Sequence, residues 1–365
     1  MSSLPISSVF NDGYVAEQYD RYRQDPGAVD ESWRQFFRLA ETIGGAATGA
    51  GAADPELLRK TAAAAHLIQH IREYGHLAVP LDPLGTPPPG ASELTPEFHG
   101  LTEADLRQIP GSALGFPERP TAADVVARLR EVYASRLACE VWHLEEDAER
   151  EWFRQTFRAG QVLAPLSAEE KVDILRRLTE VDGMERFLGR AYATAKRFSI
   201  EGTDTLVPLL DAAIVEGAAD GANEVVMAMA HRGRLNVLAH ILGKPYGTIF
   251  GEFEGKHPAG NAESGTGDVK YHLGYTGERQ VEDGRTVELE LIPNPSHLEV
   301  AGPVLEGVAR AHQRVEGAAP GTRDPLSVLP VVMHGDAAFP GEGVVAETLN
   351  MARLRGYTTG GSLHV

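Results

Sequence analysis

The sequence feature that most constrains the fold is a short apolar segment followed by polar residues and then by a helical pattern. Residues 329–332 are apolar and largely β-branched, Gly335-Asp336 follows them, and residues 344–354 have helical periodicity. Residues 224–230 form a second apolar segment, which ends at His231. Repeated strand–loop–helix units of this kind predict an α/β fold with a parallel sheet flanked by helices.

Polar residues recur where the predicted strands end. Residues 286–292 alternate between apolar and polar and are followed by Ser296, and His272 ends another short element. Because ligands of parallel sheets bind beyond the carboxyl ends of the strands, we expect His231, His272, Ser296 and Asp336 to line one cleft. A Gly-Asp pair alone is more often an ordinary turn. At such an edge, however, its carboxylate suits Mg²⁺, which shares ligands with phosphates.

Composition and charge exclude several classes of protein. The net charge of -18 over 365 residues argues against binding to nucleic acid or to an anionic membrane surface. No apolar run approaches the roughly 20 residues of a membrane span, and the first residues lack the pattern of a secretory signal. A single cysteine, Cys139, excludes an internal disulfide framework. These features predict a cytoplasmic protein.

Hydrophobic periodicity and capping residues predict the main helices. The pattern predicts helices over residues 55–74, 103–108 and 121–138, and a charged one over 142–157. Residues 167–170 read Ser-Ala-Glu-Glu, a capping box that predicts a helix ending near residue 179, and a separate helix is predicted over 187–196. Residues 44–54, rich in glycine and alanine, predict a flexible linker.

Several longer strings carry a resemblance to a known family. They read MAHRGRLNVL at residues 229–238, GDVKYH at 267–272, NPSHLE at 294–299, HGDAA at 334–338 and ETLN at 347–350. Together they resemble the first component of the 2-oxoglutarate dehydrogenase complex, a thiamine-diphosphate-dependent decarboxylase. The resemblance extends from near Phe10 to Val365. It implies a thiamine-diphosphate-binding fold, incomplete at the carboxyl end and preceded by a mainly helical amino-terminal region.

The resemblance also implies a domain organisation. Residues 1–43 would be an arm that docks onto the lipoyl-bearing dihydrolipoyl succinyltransferase, although a helix packed on its own domain is the alternative. Residues 55–183 would be a mainly helical region and 184–365 a truncated thiamine-diphosphate-binding domain. Residues 360–365 look like a turn and the first half of a strand. We therefore expect the chain to be the amino-terminal part of a longer protein.

The matched strings imply roles for individual residues. By resemblance His231 is an active-site histidine, and His272 is a catalytic histidine that also binds the substrate. Arg232 would contact thiamine diphosphate, and its planar guanidinium suits phosphate or carboxylate oxygens. Ser296 would reach both substrate and cofactor, and Leu298 would form part of the cofactor wall. The neighbouring His297 could bond either the substrate or its own loop.

The remaining part of the implied site is the metal anchor. By resemblance Asp336 binds Mg²⁺, and the backbone of Ala337 and Ala338 contacts the cofactor. The family completes the Mg²⁺ shell with an asparagine that would follow Val365, and its activating glutamate and a further active-site histidine also lie later in the chain. The residues present would therefore form only part of the site.

The predicted activity of the complete protein is the oxidative decarboxylation of 2-oxoglutarate, with succinyl transfer to lipoamide, in the citric acid cycle. The family acts as a homodimer, and we expect the chain alone to be inactive. One alternative is a non-catalytic truncated chain that binds the succinyltransferase core. Another is a paralogue that prefers 2-oxoadipate or acts as a carboligase, because one methylene changes discrimination by only about 1–3 kcal/mol.

Overall fold

A computed structural model of the chain describes twelve segments. These are residues 12–29, 33–34, 36–38, 54–82, 84–134, 140–141, 143–159, 164–256, 271–281, 284–294, 297–335 and 338–365. The contacts divide the chain into two compact units, Met1–Pro165 and Leu166–Val365. The domain boundaries predicted at residues 43, 54 and 183 stay predictions.

The described part of the amino-terminal unit consists of helices joined by irregular segments. Its helices are α1 (Asp12–Gln24), α2 (Pro55–Tyr74), α3 (Glu103–Gln108), α4 (Ala122–Tyr133) and α5 (Asp147–Ala159). Capping boxes begin α3 at Thr102 and α4 at Thr121, since each threonine side chain accepts a backbone N–H bond and an aspartate three residues later bonds back. Apolar residues of α2, α3, α4 and α5 share one buried core.

The carboxyl-terminal unit alternates helices and strands along its described part. It begins with α6 (Ala168–Ala191), α7 (Leu206–Ala219), β1 (Glu224–Met229), α8 (Arg234–Asn236) and α9 (Tyr246–Phe253). It continues with β2 (Tyr275–Gln280), β3 (Thr286–Leu291), α10 (Ala301–His312), β4 (Val328–Met333), α11 (Ala338–Gly341), α12 (Gly343–Met351) and β5 (Leu363–His364). A π-helical turn, Val237–Ile241, extends α8.

The strands form one sheet in the order β2-β3-β1-β4-β5. β1 pairs in parallel with both β3 and β4, and β4 pairs in parallel with β5. β2 is antiparallel to β3, with Tyr275 opposite Leu291. This pairing confirms the predicted mainly parallel α/β sheet. The sequence also predicts a hairpin-like excursion over residues 277–285, which carry Asp283-Gly284. The antiparallel pairing of β2 with β3 confirms this chain reversal and places β2 at the edge of the sheet.

Helices cover both faces of the sheet. Val225, Met227 and Met229 of β1 pack in the core that includes apolar residues of α6, α7, α8 and α9. Val226 and Ala228 point to the opposite face, where residues of α10 pack. A central strand buried on both faces must be apolar throughout, which is why residues 224–230 lack an alternating pattern.

The structure corrects one helix prediction. Residues 168–191 form a single helix, α6, where the sequence predicted one helix that ends near residue 179 and another over residues 187–196. The spacing of Val181, Met184 and Leu188 continues the helical periodicity, and all three side chains are buried in the sheet core. This burial favours an uninterrupted helix despite Gly183. Among the described helices, none is both long enough and apolar enough to cross a membrane.

Candidate active site

Polar residues from four strands lie at one edge of the sheet. His231 follows β1, Asn294 follows β3 and His334 follows β4 directly. His272 precedes β2, whose antiparallel direction brings its first residue to the same edge, opposite the end of β3. The carboxyl ends of the parallel strands therefore assemble histidine and amide side chains at the place where such sheets bind ligands.

His231 and His272 form the centre of this edge. Their ring centroids are 4.9 Å apart, with an angle of 36° between the ring planes. Phe198 stacks on His231 at 5.1 Å and meets Tyr271 edge-on at 4.9 Å. The Tyr271 hydroxyl donates to the carbonyl of Lys196. Two imidazoles held by aromatic neighbours at this spacing can both reach one small substrate, and each can hold or release a proton.

A tight turn presents the two residues that follow β1. Gly233 has φ +78° and donates its N–H to the Phe198 carbonyl over 2.9 Å. A Cβ at this glycine would lie 2.8 Å from Cδ1 of Ile200, so a side chain would have to displace that residue. Arg232 is exposed and donates one bond, from Nη1, to the Ser199 carbonyl over 2.9 Å. The remaining guanidinium N–H groups suit an anionic ligand.

Arg234 holds the ends of three elements together. Its side chain is fully buried, and Nη2 donates to the carbonyls of Leu273 and Ile292 over 2.7 and 2.9 Å. Its Nη1 donates to the Met229 carbonyl over 3.3 Å. Burial lowers the pKa of Arg234 to about 10, so the guanidinium is still charged at neutral pH. Arg234 therefore fixes the distance between the backbone segment that carries His231 and the segment that carries His272.

A buried glutamate joins α6 to this turn. One oxygen of Glu185, Oε1, accepts bonds from the backbone N–H of Ile200 over 3.1 Å and from Nδ2 of Asn236 over 2.7 Å. The Glu185 side chain is buried with both donors. It therefore positions the loop that contacts Gly233 as well as the helix that follows the turn.

A second chain of polar groups lies beyond the end of β4. His334 Nδ1 is 2.7 Å from a carboxylate oxygen of Glu299, and its Nε2 is 2.9 Å from Nδ1 of His364. An ionised carboxylate accepts the Nδ1 proton of His334, so His334 Nε2 accepts from His364. Burial, and then the neighbouring imidazole of His334, lowers the pKa of His364. Phe339 meets the His334 ring at 4.7 Å. These contacts fix His334, the first residue after β4.

A comparison with family models shows which family the chain belongs to. The model described as "Dehydrogenase E1 component" matches residues 177–365, which is more than half of the chain. The chain belongs to the dehydrogenase E1 component family. A second model, "2-oxoglutarate dehydrogenase N-terminus", matches residues 8–41. The first match contains β1 to β5 and all the candidate site residues, which confirms the family resemblance read from the sequence.

Curated relatives of this E1 family chain carry a more specific name. The protein named "2-oxoglutarate dehydrogenase E1 component" from Bacillus subtilis (strain 168) is 41% identical over 378 residues, which cover 97% of this chain and 40% of the relative. Proteins of the same name from Bacillus cereus (strain AH820) and Geobacillus sp. (strain WCH70) are also 41% identical, over 97% of this chain and 39% and 40% of their own lengths. The chain thus spans about two fifths of the length of these relatives.

The structure brings together only some of the predicted site residues. His231 and His272 are adjacent, and Arg232 follows His231 directly. Ser296, Asp336 and Ala337 lie outside the described residues, so their place in the cleft stays a prediction. Two further predicted positions are partly described: Leu298 begins a short 3₁₀ turn, Leu298–Val300, and Ala338 is buried at the start of α11.

One buried side chain without hydrogen-bond partners shows whether the described residues fit thiamine diphosphate. Asn294 is 4% exposed, and neither its Oδ1 nor its Nδ2 has a hydrogen-bond partner within the described part of the chain. Its backbone N–H donates to the His272 carbonyl over 3.1 Å, which ties it to the histidine pair. A buried amide without partners costs about 1–3 kcal/mol unless a ligand satisfies it. The polar groups present therefore fit a cofactor with both donors and acceptors.

Three residues of this edge were missed from the sequence as functional candidates. Arg234 and Asn236 belong to the matched string at 229–238, and Asn294 opens the string at 294–299. Asn236 and Asn294 were readable only as parts of a motif. Periodicity could have identified Arg234, because a charged residue within an otherwise apolar helical pattern predicts a buried cation with backbone partners.

Proposed function

We propose that the chain is the amino-terminal part of a 2-oxoglutarate dehydrogenase E1 enzyme. The complete enzyme would decarboxylate 2-oxoglutarate oxidatively and transfer the succinyl group to lipoamide on a dihydrolipoyl succinyltransferase, within the citric acid cycle. The observation that carries the proposal is the 41% identity, over 97% of this chain, to proteins that bear the name. The cytoplasmic location and the homodimer stay predictions.

Thiamine diphosphate, when bound, supplies the electron sink that the decarboxylation of a 2-oxo acid needs. The chain's own residues would orient the substrate and move protons. Arg232 carries a charge that attracts a carboxylate or a phosphate, and its bond to Ser199 limits its movement. His231 and His272, 4.9 Å apart, would donate to a substrate oxygen and relay a proton between them. Phe198 would keep water away from one face of His231.

The anchor for the cofactor is the part of the proposal that rests on family resemblance. Asp336 would bind Mg²⁺ through its carboxylate, with Ala337 and Ala338 contributing backbone groups. Ser296 and Leu298 would line the cofactor and substrate positions. The chain of Glu299, His334 and His364 supports this assignment, because it fixes the residue two positions before Asp336.

Substitutions in the complete enzyme, of which this chain is the proposed amino-terminal part, test the proposal. His231→Gln and His272→Gln should each lower the turnover of 2-oxoglutarate, with ferricyanide as electron acceptor, about 10²–10⁴-fold. His143→Gln, an exposed residue of the amino-terminal unit, is the matched control and should leave turnover unchanged. Normal turnover in both site variants would contradict the proposed roles.

The chain of 365 residues by itself should show no turnover with Mg²⁺ and thiamine diphosphate. Turnover by the purified chain would contradict the expectation that residues following Val365 complete the site. The nucleotide sequence after the codon for Val365 provides an independent test, because an open reading frame into an asparagine-bearing strand would extend the metal site. Competition between 2-oxoglutarate and 2-oxoadipate would then determine the preferred substrate.

The second candidate function is a docking module without catalysis. It is favoured by the family match of residues 8–41 and by an aromatic cluster within them. Tyr22 and Phe37 are buried there, and Tyr19 and Trp33 pack against them. A pull-down of the succinyltransferase with the chain, and with the chain lacking residues 1–43, tests this function. Loss of binding together with absent turnover would favour the docking module.

A further inference from the structure

A cavity lined by arginines lies in the amino-terminal unit, remote in sequence from the proposed catalytic residues. Its volume is about 90 Å³, compared with the roughly 10–15 Å³ that one water molecule needs by the same measure. Arg72 of α2, Arg128 of α4 and Arg154 of α5 line it together with Arg119 from the loop before α4. Four guanidinium groups from four separate segments therefore surround one small space.

The charge around this cavity is the reverse of the charge of the whole chain. The chain has 34 Lys and Arg against 52 Asp and Glu, yet Glu118 is the only acidic residue among the described residues that line the cavity. Like charges that share a small space repel one another, which destabilises the folded state unless an opposite charge is present. The arrangement is therefore what a site for a small anion requires.

Arg128 keeps one donor without a partner in the described part of the unit. Arg128 is 3.2 Å from Glu131 and Arg154 is 3.6 Å from Glu151, but the two glutamate side chains are 66% and 51% exposed. Exposed pairs of this kind contribute about 0–1 kcal/mol. The Nε of Arg128 is buried without a hydrogen-bond partner in the described part of the chain. A ligand that enters the cavity can thus accept a bond from Nε of Arg128, which has no partner among the described residues.

The rest of the lining is apolar. Phe116, Leu129 and Val132 are all buried, and the guanidinium carbon of Arg72 lies 5.8 Å from the centre of the Phe116 ring. An apolar floor lowers the local dielectric constant and strengthens the attraction between the arginines and an anion. The contact with Phe116 also restrains Arg72, because a guanidinium over an aromatic ring is attracted to its face.

We propose that this cavity is a binding site for a small phosphate-type oxyanion, either free phosphate or the terminal group of a phosphate monoester. Guanidinium groups that approach from several directions suit a tetrahedral anion with several oxygens better than a planar carboxylate. The small volume and the net charge of -18 exclude a long polyanion such as nucleic acid. The proposal does not depend on the proposed catalytic function.

The test is a titration of the purified chain with inorganic phosphate at constant ionic strength, followed by calorimetry and by ³¹P NMR. Phosphate should bind saturably and raise the thermal midpoint of the amino-terminal unit. Arg119→Gln and Arg128→Gln should each weaken binding about tenfold, which corresponds to about 1.4 kcal/mol. Arg107→Gln, an exposed arginine of α3 outside the cavity, is the matched control and should bind phosphate as the unaltered chain does.

Further ligands separate the two sources of the anion. Tighter binding of glycerol phosphate than of phosphate would identify a monoester as the ligand, and weaker binding would identify free phosphate. Succinate that binds more tightly than phosphate would overturn the proposal. So would an equal response to chloride, or an equal loss of binding in Arg107→Gln. Circular dichroism should show that Arg119→Gln is folded, since this partly exposed side chain lies outside the helical core.

Discussion

Replacing Gly233 by alanine tests whether the turn after β1 depends on close packing as well as on backbone conformation. The glycine has φ +78°, and an L-residue in the left-handed region costs about 1–2 kcal/mol. The new Cβ would lie 2.8 and 3.0 Å from Cδ1 and Cγ1 of Ile200, and overpacking of this kind costs about 1–3 kcal/mol. The two contributions predict a loss of about 2–5 kcal/mol of stability in the carboxyl-terminal unit.

Gly243 provides the matched control for the backbone contribution. It has φ +72°, and no atom lies within 4 Å of the position a Cβ would take. Gly243→Ala should therefore cost only the conformational part, about 1–2 kcal/mol. Ile200→Val removes Cδ1 and should lower the cost of Gly233→Ala by at least about 0.5 kcal/mol in a double-mutant cycle.

The assay must report on the carboxyl-terminal unit alone. All three tryptophans precede residue 166, so tryptophan fluorescence follows the other unit. Hydrogen exchange of peptides that cover β1 and α8, followed by mass spectrometry, measures the free energy of opening at the turn itself. Equal costs for Gly233→Ala and Gly243→Ala, or no coupling with Ile200→Val, would refute the packing argument.

Three further predictions concern buried charges and histidines. Burial lowers the pKa of His70 and His99 below the ordinary 6.5, so unfolding takes up protons and the amino-terminal unit should lose stability as the pH falls through 6.5; urea unfolding followed by tryptophan fluorescence should show a smaller loss in His70→Gln. Lys244 and Glu252 form an ion pair of 2.6 Å with both side chains 6% exposed. Lys244→Met should cost about 3–5 kcal/mol, and Glu252→Leu in the same chain should restore most of it, measured by urea unfolding followed by circular dichroism. Glu185→Gln keeps an oxygen that accepts from both the Ile200 N–H and Asn236 Nδ2, so amide hydrogens near Ile200 should exchange as they do in the unaltered chain. Glu185→Ala leaves both donors unsatisfied and should lower stability by about 2–4 kcal/mol. Equal behaviour of the two Glu185 variants would contradict the positional role.

Local patterns predicted the elements of the fold well. Helices α2 and α3 have the predicted bounds, and the Ser167 capping box begins α6 as expected. Strands β1, β3 and β4 also occupy the segments that their apolar residues indicated. Each of these depends on neighbours a few residues away, and such contacts are readable in a single sequence.

Contacts between segments far apart in the sequence could not be predicted from local patterns. Arg234 donates to carbonyls 39 and 58 residues away, and Glu185 accepts from a residue 51 positions later. Nothing local distinguishes a buried arginine that binds carbonyls from one that binds a ligand. The chain reversal between β2 and β3 was readable from Asp283-Gly284. The place of β2 at the edge of the parallel sheet was not, because it depends on the pairing of strands from distant segments.

The three bonds from Arg234 to backbone carbonyls make the geometry of the candidate site independent of the protonation of its histidines. A guanidinium with a pKa of about 10 keeps its charge throughout the neutral range. Imidazole side chains as a class exchange protons in that range. A change of pH within the neutral range can therefore alter the protonation of imidazoles at this edge of the sheet while Arg234 keeps its three carbonyl bonds.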